Sequence, residues 1–437
     1  MDIREKPALK NTVRKTYSVC PVCLKKLPAE IVKAGDDYYL EKKCPEHGAF
    51  SAVVWRGISL AFEDWGGGEP LFPGCSADCR TCEDHPQKTC CALVEVTDRC
   101  DLGCPVCFAE SGGSGSREMA VSELFEGFRS LVDHGNTFVQ LSGGEPTARD
   151  DLPEVVAAAK RAGCENIQLN SNGLRLGAEP EFTQALQRAG LSFVFMQFDG
   201  TEDAIYEKLR GAPLLAAKRA AIEVCGELGL GVTLVPTVVP GVNDRNIGEI
   251  IKFGLSNSPN VRGVHFQPVS YFGRYPHAPV NSDRITLPEI LRAIEGQTAG
   301  KIKVSDFVPS SCDHPRCGFH GDFVVLPNGG VMKLTKKQPA SCCCGRDDNA
   351  HLKSRDFVSR RWKRDGKDGG DESGADYRDM DTFLKRIKSH GFTITCMAFQ
   401  DAYNLDLERL AHCSLHVYEN GKNIPFCARY ITPAGTA

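Results

Sequence analysis

Cys100, Cys104 and Cys107 stand in the run Val94-Glu-Val-Thr-Asp-Arg-Cys-Asp-Leu-Gly-Cys-Pro-Val-Cys-Phe108, spaced C-x3-C-x2-C straight after a short β-like stretch. Three thiolates at this spacing can hold three corners of a 4Fe–4S cube and leave the fourth iron without a protein ligand. An open iron can bind a substrate or cofactor, so such a cluster can do chemistry as well as carry electrons. Further on comes Phe138-Val-Gln-Leu-Ser-Gly-Gly-Glu-Pro146, an apolar run that ends in two glycines and an acid. Glycines at such a point let backbone groups approach a ligand closely.

The two motifs in this order, about one βα unit apart, resemble the radical S-adenosylmethionine (SAM) superfamily. The resemblance implies that SAM chelates the free iron through its amino and carboxylate groups. It implies that Gly143, Gly144 and Glu145 hold the SAM amino group, and that Asn170, Ser171 and Asn172 lie near its ribose and carboxylate. Asp199 and Arg210 look like the strand-four motif of several subfamilies. Polar residues at strand ends are also ordinary turn formers. For Asn170 and Asn172 the two readings weigh equally, and for Asn243 the turn is preferred. The competing account of both motifs is a zinc knuckle beside an unrelated turn, which their pairing disfavours.

The chain has 21 cysteines. In a reducing compartment they are metal ligands more readily than disulfides. Cys164 and Cys225 stand alone in Ala-rich helical stretches and read as small buried hydrophobes. Cys20-Pro-Val-Cys23 and Cys44-Pro-Glu-His47 form a zinc-ribbon or rubredoxin-like pattern, a Cys3His shell for Zn or Fe. A structural zinc leads, because it would fold a small module that lacks a core of its own. Cys75, Cys79 and Cys82 repeat the three-cysteine spacing without a Gly-Gly-Glu. With Cys90 or Cys91 as fourth ligand they suit an auxiliary 4Fe–4S cluster, preferred over a second zinc. Cys312 and Cys317, the run Cys342–Cys344, and then Cys396, Cys413 and Cys427 could supply one more cluster. One of the three adjacent cysteines is then a bystander.

These ligands need a scaffold. Strand-like runs occur at 92–97, 138–142, 166–170, 193–198, 231–239 and 263–269, with helical patterns between them. Strand and helix alternating at short intervals mean parallel βαβ units. Six units fit an α/β fold, a partial (β/α)6 TIM-like barrel, as the resemblance also implies. The Cys-rich ends are metal-binding extensions of it. Function in such barrels collects at the C-terminal ends of the strands, where the singled-out residues fall. The expected layout is a ribbon module at 1–65, an auxiliary cluster segment at 66–91, the barrel at 92–275 and a Cys-rich domain at 276–437. The charged, Gly-rich stretch 360–381 reads as a loop, and Ser111–Ser116 as a second one.

A net charge of −4 over 437 residues argues against a general nucleic-acid binder. No stretch is long and apolar enough to span a membrane, and the N-terminus lacks a signal-peptide core. A cytoplasmic location is expected, with peripheral membrane contact compatible.

The whole layout resembles a narrower group, the class D radical SAM methylases and the related archaeal tetraether lipid synthases. The matching pieces are Cys20–His47, Cys75–Cys91, Cys100–Cys107, Gly143–Glu145 and Ala402–Leu410 through Cys427. That resemblance implies reductive cleavage of SAM to a 5′-deoxyadenosyl radical, hydrogen abstraction from an unactivated carbon and formation of a C–C bond. It implies one or two auxiliary clusters and an electron donor of the flavodoxin or ferredoxin type. The first expectation for the substrate is coupling of lipid alkyl chains, and the alternative is methylation of a pterin-like small molecule. Outside this class, the chain would be an iron–sulfur electron carrier or a zinc-ribbon interaction protein without SAM chemistry. A lipid needs a long apolar tunnel and a pterin a compact polar pocket.

Overall fold

The computed structural model describes residues 10–57, 60–65, 89–112, 118–310, 312–335, 350–364 and 380–433. The first described unit is an antiparallel meander of β1 (Asn11–Val19), β2 (Lys26–Ala34), β3 (Asp37–Cys44) and β4 (Gly48–Arg56). Its inner face carries Ile31, Tyr38, Leu40 and Trp55 into the main core, so the module borrows that core.

The barrel follows: β5 (Cys91–Thr97), α1 (Val121–Asp133), β6 (Phe138–Gly143), α2 (Leu152–Ala162), β7 (Asn166–Ser171), α3 (Leu174–Ala178), α4 (Pro180–Ala189), β8 (Phe193–Gln197), α5 (Asp203–Arg210), α6 (Leu215–Glu227), β9 (Gly231–Val235), β10 (Thr237–Val238), α7 (Ile247–Ser256) and β11 (Val261–Pro268). β5, β6, β7, β8, β9 and β11 lie side by side in chain order, all parallel. The fifth strand is shorter than its apolar run, because Pro236 has no N–H to continue the ladder. The chain resumes pairing with β11 only at Thr237 and Val238.

The described segments between 276 and 433 build onto the same sheet. They form α8 (Leu287–Gln297), β12 (Val308–Pro309), β13 (Gly318–Val325), β14 (Val331–Lys333), α9 (Ala350–Trp362), α10 (Met380–His390), β15 (Gly391–Met397), α11 (Leu407–Ala411), β16 (Leu415–Glu419), β17 (Lys422–Pro425) and α12 (Phe426–Arg429). β15 adds in parallel to β11, and β13 runs antiparallel beside it. At the other edge β16 adds in parallel to β5. Cys396, expected as a metal ligand, sits in β15 within the main hydrophobic core beside Phe319. Burial alone pushes its thiol well above the ordinary range, with no charged neighbour to lower it. It packs as a small hydrophobe.

Alternate strand residues divide the barrel into two layers, as the period of two requires. Val139, Leu141, Ile167, Leu169, Val194 and Met196 face the helices in one core. The residues between them face the lumen. At its lower end Phe138, Phe193 and Phe195 pack around Trp362 of α9. The expected loop at 360–381 therefore begins later: Trp362 is buried, 4.4 Å from Phe195 between ring centroids. Residues 365–379 and 113–116 lie outside the described residues.

Candidate active site at the C-terminal ends of the strands

The loop after β5 carries the three cysteines. Cys107 pairs with Arg274 through two backbone hydrogen bonds of 2.9 and 3.0 Å. The Arg274 side chain donates to the carbonyl of Cys104 at 3.0 Å and of Ser111 at 3.3 Å. Phe108 packs on Phe426 and Tyr430, so the last described helix clamps the loop from outside.

Gly143 and Gly144 have a reason the sequence did not show. A Cβ on Gly143 would sit 2.0 Å from the Thr97 carbonyl oxygen, and one on Gly144 would sit 2.2 Å from that of Arg99. The N–H groups of Gly144 and Glu145 donate to those two carbonyls at 2.8 Å each. The close approach is thus to the backbone that leads into Cys100. Glu145 is fully buried and accepts from Thr147 N (3.0 Å), Thr147 Oγ1 (2.7 Å), Ser171 Oγ (2.8 Å) and Asn172 N (2.6 Å). Burial raises its carboxyl even so. Ser171 also accepts from Gly173 N, and Asn172 reaches Asp101 at 2.6 Å. Glu145, Ser171 and Asn172 form a brace that ties β6, β7 and the cysteine loop together.

Asp199 is wholly buried and takes two bonds from Arg210, at 2.8 and 2.9 Å. Arg210 in turn lies against the Cys104 thiol. Lys218 joins this group, donating to the Asn172 carbonyl and to Gln197 Oε1. Burial pulls its ammonium down to about 8. Sequence reading missed it, although a signal was there. Lys218, Ala221, Ile222 and Cys225 recur at helical spacing and are all buried, which puts the lysine on the inward face.

Below these residues the lumen is lined by amides. Gln168 donates to Asn170 at 2.6 Å, Asn170 to Gln140 at 3.3 Å, and Gln140 to the Cys91 sulfur at 3.0 Å. His265 bonds Thr395 at 2.7 Å and tilts against Phe195. Gln168 Oε1 and Thr233 Oγ1 are buried without a partner among the described residues. Burial lowers His265 from 6.5 to about 4. Between those values the folded protein binds fewer protons than the unfolded chain, so stability falls as pH drops through that window. Thermal melts from pH 6.5 to pH 4 should show His265→Gln losing less stability than the parent. Equal acid sensitivity would contradict a buried neutral imidazole.

In the ribbon, ligand atoms of Cys20, Cys23, Cys44 and His47 lie within 4.8 Å of one another. That set suits a tetrahedral metal. Towards the C-terminus the thiols of Cys317, Cys413 and Cys427 lie within electrostatic range of one another, without closing to the 4.8 Å spacing of the ribbon set. Arg409 donates to Cys317 Sγ at 3.5 Å. Cys312 lies nearby, bonded by Ser414 and beside Cys90. Cys91 instead turns into the lumen toward Gln140. Cys75, Cys79, Cys82 and Cys342–Cys344 lie outside the described residues.

A parallel barrel carries three free thiols on the loop after its first strand, the arrangement of a cluster-binding enzyme, and the family match gives the class. Residues 94–254 match the family described as the Radical SAM superfamily, and residues 12–56 match the HMPTM N-terminal zinc ribbon domain. The chain belongs to the radical SAM superfamily and, within it, to the class D methylase group. It is 32% identical to the 7,8-dihydro-6-hydroxymethylpterin dimethyltransferase of Methanocaldococcus jannaschii over 95% of this chain and 92% of that one. It is 24% identical to the GTP 3',8-cyclase of Hydrogenovibrio crunogenus over 60% of this chain and 82% of that one. Streptococcus suis SuiB bound to S-adenosylmethionine superposes on 48% of this chain and 47% of its own, at 15% identity and a TM-score of 0.40. Membership implies a 4Fe–4S cluster and SAM. The donor set fits the cluster: three soft thiols on one loop, none in a disulfide.

Proposed function

We propose that this enzyme places a methyl group on a carbon of a pterin-like heterocycle. The lumen lining carries the reading. Gln140, Gln168, Asn170 and Gln197 offer amide donors and acceptors of the kind a pyrimidine edge pairs with, and Phe195 offers a ring face. These amides already bond one another, Cys91 or Lys218, and Gln168 Oε1 is left over among the described residues. A heterocycle N–H could satisfy that atom, whereas an alkyl chain would leave it unpaired at about 1–3 kcal/mol. Trp362 closes the lower end, where a lipid would need the tunnel to continue. The substrate in the name of the Methanocaldococcus jannaschii relative supports a pterin too. The first expectation, lipid coupling, finds no support in the relatives and is set aside.

Cys100, Cys104 and Cys107 would hold the cluster, and Gly143 and Gly144 let the β6 end zip onto the residues before Cys100. Glu145, Ser171 and Asn172 would fix the loop from behind, while Asn170 faces the substrate side. Asp199 holds Arg210 against Cys104. The cluster with SAM supplies, when bound, a one-electron cleavage that yields a carbon radical able to take hydrogen from an unactivated carbon. The chain's own part is position and exclusion of water and stray hydrogen donors. Cys317, Cys413 and Cys427, with Arg409 beside them, would hold an auxiliary cluster, and Cys312 with Cys90 lies at its edge. The ribbon's Cys20, Cys23, Cys44 and His47 would hold zinc or iron.

The test is anaerobic turnover with SAM and dithionite, offering 7,8-dihydro-6-hydroxymethylpterin or ether-lipid micelles. Deoxyadenosine should rise above the substrate-free background with the pterin alone. A rise with the lipid alone would return the account to chain coupling.

A further inference from the structure

We infer that the groove between the ribbon sheet and α11 is the docking site of an acidic one-electron carrier protein. The inference rests on the radical SAM reading, because that chemistry draws an electron from outside the chain. A groove of about 890 Å³ opens here, lined among others by Lys15, Tyr17, Lys26, Lys43, Phe50 and Leu407. Its charge runs against that of the chain. Its lining holds five lysines against three glutamates, Glu30, Glu41 and Glu408, while the whole chain has a net charge of −4.

Some of these cations are spoken for. Lys10 pairs with Glu41, and Arg14 with Asp406 and Glu408. Lys15 and Lys43 are exposed and have no acidic partner among the described residues. Lys26 lies over the Tyr17 ring, 4.5 Å from its centroid, and Tyr17 itself is 52% exposed. An aromatic flanked by unpaired ammonium groups suits an acidic protein surface. Charge pairs at the rim of such an interface govern encounter rate and salt dependence more than final affinity.

Leu407, Glu408 and Ala411 of α11 line the groove, and Arg409 of the same helix touches Cys317 Sγ. An α-helix is about 10–12 Å across. A redox group seated in the groove would therefore be about one helix thickness from the buried thiols.

The experiment uses reconstituted full-length enzyme, flavodoxin as the probe, and the double variant Lys15→Glu/Lys43→Glu, which changes exposed side chains only. Flavodoxin binding is read by fluorescence anisotropy, and SAM cleavage is driven either by reduced flavodoxin or by dithionite. The inference expects about tenfold weaker binding and slower flavodoxin-driven cleavage in the variant, with dithionite-driven cleavage unchanged. It also expects parent binding to weaken as salt rises. Equal flavodoxin binding by parent and variant overturns it, as does a variant whose one loss is binding to anionic lipid vesicles. Equal loss under both reductants overturns it as well. The binding arm reads out even if no SAM is cleaved, so failure of the docking site and failure of the enzymatic reading are distinguishable.

Discussion

Cys104→Ala is expected to abolish deoxyadenosine formation, lowering it by about a thousandfold or more, as when one member of a cooperating set is removed. Cys104 is the most buried of the three loop thiols and the one against Arg210. Its carbonyl is held by Arg274, so the loop should keep its course when the thiol is lost. Iron and sulfide should fall by one cluster's worth, while metal bound at Cys20, Cys23, Cys44 and His47 stays. Chromatography of the nucleoside products and metal analysis of the same sample check both halves. A variant that keeps its iron and still turns SAM over would move the reactive cluster to another group of cysteines.

Asp199→Ala should give the largest loss of stability at the site. Asp199 is wholly buried and Arg210 nearly so, and they share two short bonds. Removing one partner leaves a buried guanidinium uncompensated, at a cost of about 3–5 kcal/mol. Denaturant unfolding should show that loss, and Asp199→Ala/Arg210→Met should recover part of it, because the stranded charge is gone. A double variant as unstable as the single one would mean that Asp199 matters for packing and not for charge. Activity should fall in both, since Arg210 no longer lies against Cys104.

The barrel was legible because its strands are apolar runs separated by helices of ordinary period, from Val94 in β5 to Phe266 in β11. The edges of the sheet were not. Nothing local in Phe392–Cys396 or His416–Val417 says that one strand pairs beside β11 and the other beside β5, since such pairing is set by tertiary packing. Burial of Cys396 was hidden for the same reason: a cysteine in an apolar strand and a cysteine near a cluster look alike in sequence. Trp362 was overlooked because its neighbours are charged, yet one large aromatic suffices to anchor a segment.

At the site, the types and order of Cys100, Cys104, Cys107 and Gly143–Glu145 were readable, whereas the partners were not. The motif suggested that Gly143 and Gly144 make room for a ligand, and the structure adds that their missing Cβ atoms also clear Thr97 O and Arg99 O. Glu145, Ser171 and Asn172 bond one another, which spacing does not reveal. Lys218 was hidden by its charge despite lying on the buried stripe of α6. The amide lining of the lumen comes from single residues on separate strands, and only the fold assembles it.

The most direct test is mass spectrometry of 7,8-dihydro-6-hydroxymethylpterin after anaerobic incubation with enzyme, dithionite and excess SAM, with and without a reduced folate-type one-carbon carrier. Both arms are needed, because the SAM cleaved to deoxyadenosine keeps its methyl on methionine and the transferred carbon comes from a second donor molecule. The account predicts a pterin product in which a methyl group replaces a ring hydrogen, formed together with deoxyadenosine and absent with Cys104→Ala. SAM cleavage that leaves the pterin unchanged, while ether-lipid chains offered in parallel become joined, would contradict it.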